Sequence, residues 1–316
     1  MWDFPLFPEQ ASSNAHKVDA LMLFEIGVLL FFTILICVLI LFFCARYRRG
    51  TRVNRAHPPT HGRAMEAVWI IIPFLLSAVM FVWSTRLFYD LYEPPPDAAE
   101  ISVVGKQWMW YLQHSQGRAE TNELHVPLGQ AVKLNMTSQD VIHSFFIPAM
   151  RIKQDVLPGR YTSLWFQPTK VGKYDLFCAE YCGTNHSIMT GFVHVMEPAD
   201  YEKWLAAEGV GPSQAEEGER LFVQHHCAGC HRGSQTVHAP HLEGVYGKPV
   251  PIQKGSDVSF VTADDRYIRD SILMPKSEVV AGYEPLMPSY KDQISESDLL
   301  KIIAYIKSIA NRETSQ

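Results

Sequence analysis

Charged residues, cysteines and basic clusters are all scarce in this sequence. Asp, Glu, Lys and Arg make up 19% of its 316 residues, below the roughly 25% typical of soluble domains. The six cysteines are too few for a small disulfide scaffold, and a net charge of −5 with one short basic segment excludes nucleic-acid binding. Aromatic residues, at 12%, are too abundant for a disordered chain. The length predicts two or three folded domains.

A mean hydropathy of −0.04 conceals two long apolar runs near the N-terminus. Residues 26–44 contain no charge over nineteen positions, and residues 67–83 add seventeen more. A helix needs about 20 apolar residues to cross a bilayer core. The alternative for the first run is a cleaved signal peptide, but the run is too long and mostly polar residues precede it. We therefore predict a transmembrane hairpin within residues 1–92, with helices at about 19–45 and 66–89.

The loop between the two runs has six arginines and no acidic residue over positions 45–65. The positive-inside rule places this loop in the cytoplasm and everything after Arg86 on the outer face. The prediction is a two-helix protein of the bacterial inner membrane, with both termini and the later domains in the periplasm. Glu66, at the cytoplasmic edge of the second helix, is either an interfacial charge or the mouth of a proton path.

Residues 93–205 alternate in the manner of short strands. Apolar and polar positions alternate within residues 101–104, 131–136, 161–166 and 191–195, with Gly, Pro and Asn between these runs. Several short strands over about a hundred residues indicate a β-sandwich or a Greek-key barrel. We predict an all-β domain here.

Late in this region, soft metal ligands crowd one loop. Cys178, Cys182, His186 and Met189 fall within twelve residues, and His143 follows an earlier predicted strand. Two Cys and two His would suffice for zinc, and a disulfide is a further alternative in an oxidising compartment. The methionine favours copper, because copper accepts a thioether ligand. A second cysteine suits two copper ions that share bridging thiolates.

Residues 206–213 read as a linker, and beyond them the periodicity is helical, at 215–223, 264–273 and 297–309. The motif Cys227-Ala-Gly-Cys230-His231 is typical of covalent haem c attachment, with the histidine as an axial ligand. A thioredoxin-like redox pair is the alternative, but no βαβ pattern surrounds the motif. We predict an all-α cytochrome c domain over residues 214–316.

Two Met-Pro pairs compete for the sixth position on the haem iron, at Met274 and Met287. The segment 281–290, followed by a helix, resembles the methionine loop of class I cytochromes c. That resemblance assigns Met287 as the ligand and leaves Met274 to pack beneath the haem. Methionine ligation raises the haem potential, which suits electron delivery to an oxidase.

Four stretches carry a wider resemblance: Gly105-Lys-Gln-Trp108-Met-Trp110, Asp140-Val-Ile-His143-Ser, Pro158-Gly159-Arg160 and the whole of 178–189. Over about residues 15–205 the chain resembles subunit 2 of the haem–copper cytochrome c oxidases. The resemblance implies a cupredoxin-like domain with a dinuclear copper centre, CuA. Its ligands would be bridging Cys178 and Cys182, with His143, His186, Met189 and the main-chain carbonyl of Glu180.

The resemblance also implies roles at three further positions. The Glu180 side chain would bind magnesium at the contact with subunit 1, and Glu66 would match the acidic mouth of a proton path. Trp108 would be where electrons enter, although packing on one strand face with Trp110 is the alternative. A fused haem domain that feeds CuA directly would allow Trp108 to lie beneath it.

These implications lead to one functional expectation. An external donor, either a cytochrome c or a quinol-oxidising complex, reduces haem c, and haem c then reduces CuA. CuA passes the electrons to a partner subunit that reduces oxygen. That subunit and the other membrane subunits of the complex pump protons. The chain itself has no catalytic residues for oxygen, because its helices lack the necessary histidines. Quinol-oxidising relatives lack the copper ligands. A nitrous or nitric oxide reductase and a copper carrier remain the alternatives.

Overall fold

The computed structural model describes residues 7–53, 62–207, 212–232, 239–254 and 257–310. The chain divides into two compact units, of which Ser13–Glu93 is one, and the described residues before and after it form the other. Positions 208–211 of the predicted linker, the last six residues of the predicted cytochrome domain and one loop arginine, Arg55, lie outside the described residues.

The first unit is a pair of long helices, α1 (Ala15–Arg46) and α2 (Arg63–Tyr92). Both contain the predicted spans and extend them at each end. Lys17 Nζ donates to Asp90 Oδ2 at 2.8 Å, and the rings of Phe24 and Trp83 lie 5.5 Å apart, so the helices meet as an antiparallel hairpin. Their apolar side chains face outward, and both helices are long and apolar enough to cross a bilayer.

The second unit begins with a β-sandwich of ten strands in the described residues. Its two sheets have the strand orders β3-β2-β1-β5-β8 and β4-β10-β9-β6-β7. The strands are β1 (Ala99–Lys106), β2 (Met109–His114), β3 (Ala119–Thr121), β4 (Glu123–Pro127), β5 (Val132–Ser138), β6 (His143–Ile147), β7 (Ile152–Val156), β8 (Thr162–Phe166), β9 (Gly172–Cys178) and β10 (Thr190–Met196).

The predicted strand segments coincide with β1, β5, β8 and β10, and the apolar side chains of both sheets form one core. One detail of the sequence interpretation is wrong. Trp108 does not share a strand face with Trp110, because Trp108 lies in the turn between β1 and β2, whereas Trp110 is fully buried on β2. The short helix α3 (Pro198–Leu205) ends this domain.

The rest of the second unit is a helical domain with a small added sheet. Its three longer helices match the predicted periodic segments to within two residues. A four-residue helix and a three-stranded sheet that were not predicted lie between them. The elements are α4 (Gln214–Gln224), α5 (Ala228–His231), β11 (Pro249–Lys254), β12 (Asp257–Thr262), α6 (Asp265–Leu273), β13 (Val279–Val280) and α7 (Glu296–Ala310). Helix α4 begins with a capping box, in which Glu216 N donates to Ser213 Oγ at 3.2 Å and Ser213 N donates to Glu216 Oε2 at 2.8 Å.

Helices α4 and α7 cross in close contact at Gly218. A Cβ atom at this position would lie 1.9 Å from the carbonyl oxygen of Lys301 and 2.9 Å from Cβ of Tyr305. Only a glycine therefore permits this crossing, which holds the first and last helices of the domain together around the cavity described below.

We expect the substitution Gly218→Ala to destabilise the helical domain by about 3 kcal/mol, because the added methyl group would overlap main-chain atoms that cannot rotate away. Thermal unfolding followed by circular dichroism measures this loss. Val223→Ala, at a half-exposed position on the same helix, is the control and should change stability by less than about 0.5 kcal/mol. Equal stability of the two variants would contradict the close crossing.

Candidate metal and haem sites

The soft ligands of the predicted copper loop converge because two of them lie on neighbouring strands. His143 begins β6 and Cys178 ends β9, and these strands pair in antiparallel register through Phe145 and Cys178. The loop that follows Cys178 returns through a short 3-10 helix, His186–Ile188, to Met189. The strand pairing thus brings His143 to a loop 35 residues further along the chain.

The donor atoms form a compact buried cluster. Cys178 Sγ lies 3.9 Å from His143 Nδ1 and 3.8 Å from Cys182 Sγ. Cys182 Sγ lies 3.5 Å from His186 Nδ1 and 3.8 Å from Met189 Sδ. His143, Cys182 and Met189 are buried, and His186 is half-buried. The thiol of Cys178 also approaches the carbonyl oxygen of Glu180, at 3.3 Å.

This donor set fits copper better than the alternatives. Both cysteines are free thiols, and their sulfur atoms are nearly twice the roughly 2.05 Å of a disulfide bond apart. A buried thioether inside the cluster has no function in a zinc site, whereas copper accepts it. Two thiolates side by side, each beside its own imidazole, provide ligands for two metal ions.

The negative charge of one thiolate opposes ionisation of the other thiol. Burial raises the pKa of the Cys178 thiol, but hydrogen bonds, that from His143 first, outweigh burial and lower this pKa to about 6. Burial and the negative charge of Cys178 then raise the pKa of Cys182 to about 12. Ionisation of both thiols is therefore unfavourable without cations, and bound metal ions would stabilise the second thiolate.

Three residues that precede the ligands brace them from outside. Asp140 Oδ1 lies 2.8 Å from His143 Nε2, and Asp140 Oδ2 accepts a hydrogen bond of 2.7 Å from Gln107 N. Gln107 Nε2 and Trp108 Nε1 both donate to the carbonyl oxygen of Cys182, at 2.7 and 3.2 Å. Asp140 and Gln107 belong to the motifs noted in the sequence, but their positioning role was not predicted there.

The other residues for which the sequence predicted roles lie outside the cluster of donor atoms. The Glu180 side chain is exposed at the copper loop. Glu66 is exposed in the first turn of α2, in the helical-hairpin unit. Trp108 is half-buried, and its indole nitrogen donates a hydrogen bond to the Cys182 carbonyl of the copper loop.

The Cys227, Cys230 and His231 side chains line one apolar cavity in the helical domain, with Met287 also in its wall. Most other lining side chains are aliphatic or aromatic, which suits a haem ring. His231 Nδ1 lies 2.8 Å from the carbonyl oxygen of Pro240, an arrangement that makes Nδ1 the donor and leaves Nε2 for iron. The cavity, the attachment motif and the oriented imidazole together fit a covalent haem c.

The prediction that Met274 packs beneath the haem is wrong. Its side chain is 48% exposed and does not line the cavity, although the adjacent Pro275 does. Helix α6 ends at Leu273, and Met274 is its C-cap residue, with its main-chain N–H on the carbonyl oxygen of Asp270. Of the two competing methionines, Met287 alone is in the cavity wall.

A second group of ligating side chains occurs on the sandwich, at Glu123, His125 and His194. The two imidazole rings are stacked, with centroids 4.4 Å apart and an angle of 7° between their planes. Because ring-nitrogen lone pairs lie in the ring plane, parallel stacked rings cannot both point at one ion. Glu120 holds His125 from the other side, and Trp204 stacks on it, so this cluster is a packed polar network.

Comparisons with known proteins match three stretches of the chain. The transmembrane domain of cytochrome c oxidase subunit II matches residues 1–87, its periplasmic domain matches residues 116–196, and cytochrome c matches residues 215–310. Cytochrome c oxidase subunit 2 from Alkalihalophilus pseudofirmus is 28% identical over 91% of this chain and 86% of that protein.

Cytochrome c oxidase subunit 2 from Thermostichus vulcanus is 30% identical over 63% of this chain and 77% of that protein. Among solved structures, the periplasmic domain of subunit II of cytochrome oxidase from Bradyrhizobium japonicum is 29% identical. It covers 36% of this chain and 94% of that chain, with a TM-score of 0.35.

We expect Asp140→Asn to weaken copper retention by about 10- to 100-fold, because Asp140 orients the ring of His143 and anchors the turn that braces Cys182. Copper content after dialysis against a chelator measures the loss. Asp175→Asn, at an exposed position on β9, is the matched control and should retain copper as the unmodified chain does. Equal copper retention in both variants would contradict the bracing role.

Proposed function

This chain belongs to the cytochrome c oxidase subunit 2 family, and we propose that it conducts electrons from an external donor through haem c and CuA to the oxygen-reducing subunit. Membership makes it part of a haem–copper oxidase, anchored in a membrane with a periplasmic domain, and implies CuA copper together with haem c. The observation that carries the proposal is that one compact unit contains both a soft-ligand cluster and a haem cavity.

For the copper centre, we assign Cys178, Cys182, His143 and His186 as the side chains that would hold two copper ions, with both thiolates shared between them. Met189 Sδ and the Glu180 carbonyl complete the set. When bound, the two coppers share one electron, so that oxidation changes each bond little and electron transfer is fast. The protein contributes stiffness, because strand pairing and the hydrogen bonds to the Cys182 carbonyl hold the ligands in place before and after transfer. Buried ligands of this kind do not suit a copper carrier, which needs exchangeable sites.

For the haem, we assign Cys227 and Cys230 as the residues that would attach it covalently, and His231 and Met287 as those that would bind its iron. The Pro240 carbonyl fixes the imidazole tautomer of His231. Apolar lining side chains keep water from the iron and, with the thioether ligand, favour a high potential.

Further assignments concern the surroundings of the two centres. The exposed Glu180 carboxylate is free to reach a magnesium ion held jointly with subunit 1. Trp108, half-buried and hydrogen-bonded to the copper loop, is our candidate for an electron-accepting side chain. Glu66 is our candidate for the mouth of a proton path in a complex that pumps protons.

We assign the hairpin to residues 1–92, the CuA domain to 93–205, the linker to 206–213 and the cytochrome domain to 214–316. The arginines beside α1 and α2 support a bacterial inner-membrane location with both termini in the periplasm. The other partners are subunit 1, further membrane subunits and a donor that is either a cytochrome c or a quinol-oxidising complex.

Replacing His231 tests the series order of the two centres. We expect His231→Ala to abolish oxidation of the external donor while the copper content of the purified complex stays unchanged, because only the haem loses its axial ligand. Donor oxidation in an oxygen electrode and metal analysis are the two measurements. Unchanged turnover would contradict the proposal that electrons pass through the haem before they reach CuA.

The two methionines provide a matched pair for the sixth haem ligand. Met287→Ala should lower the haem potential and remove the methionine–iron charge-transfer absorption, since the iron loses its thioether. Met274→Ala should change neither, because that side chain lies outside the cavity. Redox titration of the purified complex distinguishes them, and the opposite pattern would move the ligand assignment to Met274.

A further inference from the structure

The cytochrome-like domain lies on the outward polar face of the sheet that contains β1. Gln214, the first residue of α4, is buried there. Its Nε2 donates to the carbonyl of Gln113 at 2.9 Å, and its main-chain N donates to the carbonyl of Ser115 at 3.2 Å. The hydroxyl of Ser102 donates to Gln214 Oε1 at 3.2 Å. One glutamine side chain thus joins the two domains through two strands.

A buried arginine makes the second connection. Arg269 Nη1 donates to the carbonyl oxygen of Gly159 at 2.7 Å, across the domain boundary. Its other nitrogens contact Glu296, with Nη2 to Oε1 at 2.5 Å and Nε to Oε2 at 3.4 Å. The Arg269 side chain is only 5% exposed, and its guanidinium lies 5.9 Å from the ring of Tyr161. A charge this well enclosed depends on all of its partners.

A lysine on α7 makes the third connection. Lys307 Nζ contacts Asp265 of its own domain at 3.0 Å and Glu100 on β1 at 3.1 Å. Glu100 is held in turn by Lys133 of β5 at 2.9 Å. Three helices therefore each place one polar side chain on the β-sandwich. Those of α4 and α7 contact the sheet that contains β1, and that of α6 contacts the loop between β7 and β8.

Helix α6 links the contact between the two domains to both the haem cavity and the copper cluster. Its residues Ile268 and Ile272 line the haem cavity, and Arg269 lies between them in sequence on the face toward the sandwich. Gly159 follows the end of β7, whose last residue, Val156, pairs with His143 of the copper cluster. The hydrogen bond from Arg269 to Gly159 thus joins the wall of the haem cavity to the strand that faces a copper ligand.

We propose that Arg269 is a positioning residue that seats the haem domain on the β-sandwich, so that the haem reduces the copper pair from one fixed position. This inference rests on the proposed function. In the step concerned, the ferrous haem iron loses one electron and the copper pair gains it, and no bond is made or broken. The alternative is a haem domain that swings on its linker and docks by charge attraction before each transfer.

Salt distinguishes a fixed seat from repeated docking. Exposed charges are screened beyond about 10 Å at 0.1 M salt, whereas buried pairs are screened much less. The Arg269 side chain is 5% exposed and that of its partner Glu296 is 16% exposed, so salt screens this pair little. A fixed seat therefore predicts an intramolecular transfer rate that does not depend on ionic strength.

The experiment uses the purified complete complex with both cofactors. A flash photoreduces the haem, and the rise of reduced copper is followed by absorbance at salt concentrations from about 20 to about 500 mM. In the unmodified complex we expect a first-order rate that is the same across this range. Arg269→Gln should slow transfer by about tenfold or more and make it salt-dependent, because small displacements of a reacting centre cost this much. Arg269→Lys should recover part of the rate.

Two further variants separate seating from general damage. Arg266→Gln is the control, since Arg266 is 77% exposed on the same helix, and its rate should match that of the unmodified complex. Glu100→Gln removes the partner of Lys307 on the sheet and leaves the ion pairs inside the helical domain intact. It should therefore slow electron transfer without lowering the unfolding temperature of the helical domain.

Amide hydrogen exchange gives a readout independent of activity. The N–H of Gln214 is in the first turn of α4 and has no partner within its helix, so its protection comes from the carbonyl of Ser115. Exchange at Gln214 should be slow in the unmodified complex and faster in Arg269→Gln. A rate that falls with salt in the unmodified complex would overturn the seat but leave the proposed function intact, whereas no haem-to-copper transfer at all would contradict both.

Discussion

The antiparallel pairing of β6 with β9 is the constraint on which the copper-site geometry depends. It fixes His143 beside Cys178, and the loop that leaves Cys178 then has only to close on itself to bring Cys182, His186 and Met189 to the same point. A one-residue slip of this register would turn His143 to the opposite face of the sheet and away from the thiols. Close packing supports this register, because the His143 ring lies directly on the main chain of Gly105. A Cβ atom at Gly105 would lie 3.0 Å from that ring.

The helical domain also depends on a contact between segments that are distant in the sequence. Its attachment motif is local, but the cavity that receives the haem requires the first and last helices to cross at contact distance. Gly218 permits that crossing. In both domains the ligands themselves are a minority of the site. Hydrogen bonds from ordinary side chains and carbonyls, such as Asp140 on His143 and Pro240 on His231, decide which ring nitrogen faces the metal.

The sequence predicts features that depend on neighbouring residues better than features that depend on contacts between distant segments. Apolar runs, helical periodicity and ligand spacing are properties of neighbouring residues. They predicted both membrane helices, the three longer helices of the cytochrome domain and four of the residues that line its cavity. The turn position of Trp108, the exposure of Met274 and the bracing by Gln107 depend on contacts between distant segments. The three-stranded sheet of β11, β12 and β13 also escaped prediction, because short strands inside a helical domain have no distinctive period.

The contact between the two domains uses a buried charge, although burying a charge carries a desolvation penalty that an apolar contact avoids. Removing Arg269 from water carries a desolvation penalty that its pairing with Glu296 offsets only with good geometry, and an apolar contact of equal area would bind at least as well. Apolar contacts, however, tolerate sliding, whereas a guanidinium that satisfies Glu296 and the Gly159 carbonyl together has one acceptable position. Electron transfer depends steeply on distance, so a fixed position matters more for this step than binding strength. Polar contacts from three helices to the β-sandwich are what such a requirement would select.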